Sequence, residues 1–398
     1  MMTKNVLITD AQFRASLAII RSLGRKTLTV TAGSEIQSAM GLYSKYCSKK
    51  LIYPNPRTHP DLFLRYMVDL VKKNDYDCII PSHTYTMFLL CKYRDLFADY
   101  VKLPPPDFDV FYNAYDKKEL LKIALQNGIV CPTTYFSDSL DEIVSSVERY
   151  PVVVKSSRRH GVGIAICDTE FDLKEKYVKM MNKYGPCIVQ EYIPNGGEFG
   201  VYTLFDYNVE PILLTVQKRI GTRYHYGGIS TLRETVQNDV LVKIAFRLLK
   251  RIRWSGVAMV EFRIDERDRI PKLMEINPRF WGSLQLSLLA GADFPFLLYQ
   301  LMMNENPPSM LNFKCGVQCR WLMGDPAGFF RHLEKLHIDA DVRSVFNDDI
   351  ISLTDPVPMM VSLFFPLRNS SDEEPRKDDT LILQKDKEQD YMFQKITW

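Results

Sequence analysis

The stretch Gly256-Val257-Ala258-Met259-Val260-Glu261-Phe262-Arg263-Ile264, then Asp265-Glu266-Arg267-Asp268-Arg269, then Ile270-Pro271-Lys272-Leu273-Met274-Glu275-Ile276-Asn277-Pro278-Arg279 decides the fold. Two β-rich runs flank a charged turn, the pattern of a hairpin. With the turn centred on Asp268, Glu261 lies opposite Glu275 on one face. Directly opposed carboxylates repel, and both sit among apolar neighbours. Such a pair is structurally unprofitable unless a cation lies between. Two hard oxygen donors suit magnesium, which takes one or two carboxylates and fills its other positions with water and phosphate oxygens. Asn277, two residues past Glu275, faces the same way and offers a carbonyl oxygen. Arg279, two further on, can reach an anion held by the metal. The plain alternative is a surface hairpin with two outward glutamates. The run Glu-Ile-Asn-Pro-Arg weighs against it, because Pro278 bends the chain where Asn277 and Arg279 must be aimed.

Upstream lie further basic and acidic residues at the ends of apolar segments. Pro151-Val152-Val153-Val154-Lys155 reads as a buried strand ending in a lysine, costly unless the lysine meets an anion. Ser156-Ser157-Arg158-Arg159-His160-Gly161-Val162-Gly163 follows as a basic loop able to fold over phosphates, or as a solvated turn. Cys187-Ile188-Val189-Gln190-Glu191-Tyr192-Ile193-Pro194 is a strand candidate, and Glu198 follows Asn195-Gly196-Gly197. Lys117 and Lys118 open a helix at about 116–126, closed by Asn127-Gly128. The segment from Lys218 to Gly228 is basic, aromatic and glycine-bearing. As a loop it could bind a carboxylate through Arg219 or Arg223; equally it could be a solvated turn followed by a strand.

Val260-Glu261-Phe262 followed by Met274-Glu275-Ile276-Asn277-Pro278-Arg279 resembles the metal-binding core of the ATP-grasp superfamily, in particular the carbamoyl phosphate synthase large chain and biotin carboxylase branch. The continuation Phe280-Trp281-Gly282-Ser283 to Gly291-Ala292-Asp293-Phe294-Pro295 looks like a branch of carboxylate–amine ligases. The resemblance runs over about 110–305. It implies that Glu261, Glu275 and Asn277 hold Mg2+ (or Mn2+) between ATP phosphates and that Arg279 steadies the transferring phosphoryl group or acyl phosphate. It assigns Lys155 to the α- and β-phosphates and Lys117 to the nucleotide, with Lys118 an adjacent competitor. Gln190, Glu191, Tyr192 and Ile193 become the adenine hinge, with backbone groups near Glu191 and Ile193 pairing with the adenine edge. Glu198 becomes the ribose contact, and 156–163 a lid. Relatives often carry consecutive glycines in that lid, where this chain has Arg158-Arg159-His160. Arg279 and Lys155 are the implied catalytic residues. No Ser–His–Asp or Cys–His context competes with them.

The 398 residues suffice for two or three domains of about 100–200 residues. Strands at 6–8, 27–31 and 78–81 alternate with helices at 13–23, ending at Gly24, and 60–73. This rhythm predicts a parallel sheet. No GxGxxG follows the first strand, which counts against a dinucleotide enzyme. Further strands are expected at 152–155, 164–167, 188–192, 201–205 and 211–217, with a helix at about 236–250. The fold class is α/β and α+β: an N-terminal parallel α/β domain (1–108), a two-lobed ATP-grasp fold (109–310, lid lobe about 130–190) and a small C-terminal region (311–398) with a charged stretch at 370–379. Leu103-Pro104-Pro105-Pro106 is the stiff connector at the first boundary. A net charge of +3 is small for this length and gives no global reason for a nucleic-acid partner. No apolar run reaches the roughly 18–20 residues of a membrane span, and the first residues lack a signal-peptide core. The eight cysteines show no CxxC and read as reduced core residues, placing the chain in the cytoplasm. The partners expected are a small-molecule carboxylate and an amine, with no nucleic acid and no membrane; a homo-oligomer is compatible with the family. The activity expected is an ATP-grasp ligase forming an acyl phosphate and joining it to an amine. The alternatives are a carboxylate or bicarbonate phosphotransferase on the same fold and a non-catalytic ATP-binding regulatory protein.

Overall fold

Strand β1 (Asn5–Ile8) is buried over Val6, Leu7 and Ile8, as a parallel strand covered on both faces must be. After it come α1 (Arg14–Arg25), β2 (Thr29–Ser34), β3 (Lys49–Ile52), α2 (Pro60–Lys73), β4 (Cys78–Ile80) and α3 (Thr84–Lys92). The computed structural model describes residues 4–137, 139–158, 163–224, 227–325 and 347–365. Arg159 and His160 of the expected lid, the side chain of Arg223, and the charged stretch 370–379 lie outside the described residues and side chains. The four strands pair in parallel in the order β3-β2-β1-β4. The order reverses between β1 and β4, so the loops following these two strands flank the crevice where open parallel sheets take ligands.

Helix α1 runs through Gly24, where the sequence predicted its stop. A Cβ at Gly24 would lie 2.5 Å from the Cβ of Tyr46. That glycine permits a close approach and does not end the helix. The connector reaches α4 (Phe108–Tyr115) and α5 (Lys117–Gln126). Asp116 caps α5 by accepting from the Lys118 amide at 2.9 Å, supplying one of the acceptors a helix start lacks.

A second sheet contains β5 (Thr134–Tyr135), with α6 (Leu140–Ser146) before β6 (Val152–Ser156), β7 (Ile164–Cys167), α7 (Glu170–Tyr184) and β8 (Cys187–Glu191). Its strands are antiparallel in the order β5-β8-β6-β7. Ile143, Val152, Val154, Leu173 and Val189 form its core against the two helices.

The third sheet holds β9 (Asn195–Phe205), β10 (Pro211–Tyr224), β11 (Gly227–Thr235), then, after α8 (Asp239–Arg251), β12 (Gly256–Asp265) and β13 (Pro271–Asn277). Helices α9 (Leu284–Leu289) and α10 (Phe294–Met302) precede β14 (Gln318–Arg320). The order is β13-β12-β9-β10-β11-β14, antiparallel throughout. The segment from Lys218, open in sequence between loop and turn, is strand: β10 continues through Arg219 to Tyr224. Register shifts at Arg219, Gly221 and Thr222 break the alternation that would have marked it, as bulges do. Residues 347–365, with α11 (Val357–Phe364), return to the N-terminal sheet. There the buried Asp355 carboxylate accepts from Arg21 Nε at 2.8 Å and Ser44 Oγ at 2.7 Å. Leu17, Met40 and Ile350 pack together beside it.

The proline connector is clamped against the start of β12. Gly256 has φ +88°, and a Cβ there would stand 2.5 Å from the Pro105 carbonyl oxygen. Gly256→Ala is therefore expected to destabilise the fold by about 1–3 kcal/mol, read as a lowered urea midpoint. An unchanged midpoint would mean the connector does not press on that strand.

Candidate functional site

The hairpin places its two carboxylates in register: Glu261 pairs with Glu275 and Met259 with Asn277. A bulge between Glu261 and Phe262 shifts the pairing beyond, to Phe262 with Leu273. The cluster that results is dense. Asn277 Nδ2 donates to Glu261 Oε1 at 2.9 Å and to Glu275 Oε1 at 3.1 Å. Arg219 Nη2 from β10 meets Glu261 Oε2 at 2.6 Å, and Lys117 Nζ from α5 meets Glu275 Oε2 at 3.1 Å. Burial raises the Glu261 pKa, Arg219 opposes that rise, and repulsion from Glu275 and Glu198 adds to it. Arg279 donates to Asn277 Oδ1 at 3.1 Å, to the Phe280 carbonyl at 2.7 Å and to Thr84 Oγ1 at 2.7 Å. Thr84 belongs to α3, so the arginine spans from the hairpin to the N-terminal sheet.

The donor chemistry fits magnesium. Two carboxylates and one amide oxygen share a face, and no group of three or more His, Cys, Asp or Glu among the described residues could hold a metal. Zinc in a closed protein site usually takes four protein ligands; magnesium is satisfied with this smaller set plus phosphate oxygens. A cation between the glutamates would take the place of the Asn277 NH2 group, whose orientation follows from the hydrogen-bond network.

Around this pair stand the residues expected to hold a nucleotide. Lys155, at the end of β6, donates to Gln190 Oε1 on β8 at 2.9 Å. Burial, then the charge of Arg263, push its pKa down to about 8. Lys117 reaches the glutamate pair. Lys118, its competitor, instead lines an outer cavity of about 380 Å³ with Asp116, Lys122 and Arg158. The structure thus separates two lysines that spacing left equivalent.

Along the expected hinge, the Glu191 amide donates to Thr133 O at 2.8 Å, and the Tyr192 amide to Pro151 O at 3.2 Å. The Ile193 carbonyl accepts from Arg263 Nη1 at 3.3 Å. The Ile193 amide has no acceptor among the described residues, although the residue is 2% exposed; a buried N–H of this kind invites an acceptor. The Glu191 side chain pairs with Arg267. Glu198 is held between Arg219 (3.4 Å) and Arg263. Burial opposes its ionisation, but the two arginines outweigh it and hold the carboxyl below its ordinary range. At the start of the expected lid, Ser157 Oγ and Arg158 Nε both donate to Asp116, at 2.7 and 2.9 Å.

Arg219, offered in sequence as a substrate contact, pairs in the structure with Glu261 and Glu198. Arg263 and Thr84 were missed. Arg263 carried a signal, standing two residues past Glu261 and opposite Glu198. Thr84 carried none, because its partner is 195 residues away.

Residues 184–324 match the family model described as ATP-grasp in the biosynthetic pathway with Ter operon. The biotin carboxylase domain of 2-oxoglutarate carboxylase from Hydrogenobacter thermophilus, solved with MgADP, ADP and bicarbonate, superposes with a TM-score of 0.68 at 17% identity, over 80% of this chain and 74% of that one. The fold is the ATP-grasp fold. The L-amino acid ligase from Bacillus licheniformis is also similar, with a TM-score of 0.59, 17% identity and 76% of each chain covered. Among curated proteins, the carbamoyl phosphate synthase large chain of Thermotoga petrophila is 22% identical over 302 residues, 73% of this chain. The chain spans 26% of the length of that relative.

Asn277→Asp would set a third carboxylate against Glu261 and Glu275. In buffer with a chelator its thermal midpoint is expected to fall by several degrees, a loss of about 1–2 kcal/mol. Mg2+ or Mn2+ should then restore more stability to the variant than it adds to wild type. A variant indifferent to divalent ions would show that no cation enters between the glutamates.

Proposed function

We propose that the protein is an ATP- and magnesium-dependent ligase that activates a small carboxylate as an acyl phosphate and passes the acyl group to an amine. The observation that carries this reading is the convergence of Lys117, Arg219 and Arg279 on Glu261, Glu275 and Asn277. Each of these groups comes from a different element or stands at the hairpin itself. Bound Mg2+, or Mn2+ in its place, would be held by Glu261, Glu275 and Asn277 and would neutralise charge on the β- and γ-phosphates.

Lys155 and Lys117 hold the phosphate chain from the side of β6 and α5. The backbone at Glu191 and Ile193 pairs with the adenine edge, with Gln190 and Tyr192 shaping the hinge, and Glu198 exchanges an arginine for the ribose hydroxyls. Arg279, buried and fixed at three points, faces the carboxylate and offsets the charge that grows on the transferring phosphoryl group. A substrate carboxylate oxygen attacks the γ-phosphorus, the bond to the β,γ-bridging oxygen breaks, and ADP leaves. The amine nitrogen then attacks the acyl carbon, phosphate departs and the nitrogen loses a proton. Positioning and electrostatics carry phosphoryl transfer, so no nucleophilic side chain is required. The names of the L-amino acid ligase and carbamoyl phosphate synthase relatives support transfer to nitrogen. We further propose the division 1–108, 109–310 and 311–398 and a cytoplasmic location; none of the described helices is long and apolar enough to cross a membrane.

The test is phosphate release from Mg-ATP over a panel of carboxylates with and without amines. Release is expected to require both, and to fall by about 100-fold or more in Glu275→Ala. Release with a carboxylate alone would replace the ligase with a phosphotransferase, and an unaffected Glu275→Ala would remove the hairpin from the reaction.

Lys155 adds a pH signature. With a pKa near 8 in the free protein, it must take up a proton to meet phosphates above that pH. Affinity for MgADP should then be flat below pH 8 and fall by up to about tenfold per pH unit above it. Titration calorimetry should show this slope in wild type and lose it in Lys155→Arg. A flat wild-type profile to pH 9.5 would contradict the assigned contact.

A further inference from the structure

The crevice where the N-terminal strand order reverses opens onto the hairpin at two places. Thr84, just after β4, holds Arg279. Arg14, just after β1, reaches the chain three residues beyond Arg279: a Cβ at Gly282 would stand 2.9 Å from Arg14 Nη2. The guanidinium of Arg14 is held from two sides. Its plane lies over the Trp321 ring, 3.9 Å from the centroid, and Nη1 pairs with Asp349 Oδ2. Trp321 is in turn fixed by its amide to Thr231 O at 2.8 Å.

Asp349 also accepts from Arg233 Nη2, at 2.5 Å, so two arginines share one carboxylate. Its neighbour Asp348 is spent on the backbone amides of Leu322, Ile350 and Ile351, at 2.8, 2.7 and 2.9 Å. Arg233 Nε is buried and has no acceptor among the described residues. Of Asp349 and the two arginines that share it, only Arg14 is partly exposed: 14% of its side chain, against 2% for Arg233 and 1% for Asp349. Its Nε and Nη2 make no hydrogen bond among the described residues. A stacked, pre-oriented guanidinium with one free edge is built for a planar anion.

Arg14 is also close to the reacting centre. Arg233 stands opposite Arg219 across β10 and β11, and Arg219 holds Glu261. Only two residues separate Arg279 from Gly282, at most about 10 Å of chain. Resting on the ligase reading above, we propose that Arg14 binds the second anionic group of a small bifunctional acid whose reacting carboxylate lies at Arg279. The substrate class is then a short dicarboxylate, an acidic amino acid or a phosphono-carboxylate, and not a simple monoacid.

The experiment is titration calorimetry of the full chain with succinate, glutarate, glutamate and 3-phosphonopropionate against propionate and butyrate, with and without MgADP. Wild type should bind at least one bifunctional acid about 10- to 100-fold more tightly than the monoacids. Arg14→Gln should lose that margin while keeping its MgADP affinity. Gly282→Ala, which displaces the guanidinium without removing it, should lose it too and covers the case in which Arg14→Gln does not fold. The carboxylate and phosphonate arms separate the two kinds of second group. Equal binding of mono- and bifunctional acids by wild type, or a margin kept in both variants, overturns the proposal. Absence of MgADP binding would strike the ligase reading alone, since the acid comparison without nucleotide still decides Arg14.

Discussion

Everything in the third sheet is arranged around the repulsion between Glu261 and Glu275. Two carboxylates opposed on one face, with Glu198 on the next strand, cannot stay ionised in a partly buried setting without compensation. The fold brings that compensation from far apart. Lys117 arrives from α5, Arg219 from β10, Arg263 from β12 itself, and the amide of Asn277 from β13. Apolar residues of similar volume would serve stability as well or better. The charges are therefore best understood as machinery, and the connections between the sheets as what holds it in place.

That requirement explains how the second sheet is attached. It bears Lys155 and the hinge, and meets the third sheet through a few polar links. The Glu266 amide donates to Pro194 O at 3.2 Å, the Leu273 amide to Val130 O at 2.9 Å, and Arg267 pairs with Glu191. Its apolar core is its own, set apart from the large clusters shared by the first and third sheets. A layer joined in this way can turn against its neighbour at little cost in buried area, which suits the proposed contact of Lys155 with a phosphate chain.

The parts of this design that were legible in sequence are those set by local periodicity. The opposed glutamates followed from a two-residue repeat around one turn, and Pro60–Lys73 from a helical repeat with proline at its start. Where the backbone departs from a regular repeat, legibility fails: the bulged outer end of β10 hid a strand, and a glycine needed for packing against Tyr46 imitated a helix stop. Contacts between distant segments were invisible for a different reason. Spacing cannot choose Lys117 over Lys118, because the choice depends on which one faces β13. Nor can it pair Arg14 with Asp349 across 335 residues.

Those distant contacts concentrate at the mouth of the N-terminal sheet, where the constraints on substrate and on catalysis meet. Arg279, which we propose faces the reacting carboxylate, is held by Thr84. The loop bearing Ser82 and His83, just before Thr84, is itself anchored by Asp10. That buried carboxylate accepts from the Ser82 and His83 amides at 3.2 and 3.1 Å and from Thr86 Oγ1 at 2.6 Å. Asp10 has φ +60°, an unfavourable conformation for a side-chain-bearing residue, and five hydrogen bonds to its carboxylate over-determine it. The strain sits at the switch point, one loop from Arg14 and one from Arg279. A parallel sheet that contributed only bulk would have no use for a strained, buried carboxylate at the end of its first strand. One that sets the position of two arginines, proposed here to bind anions, relative to a pair of carboxylates does.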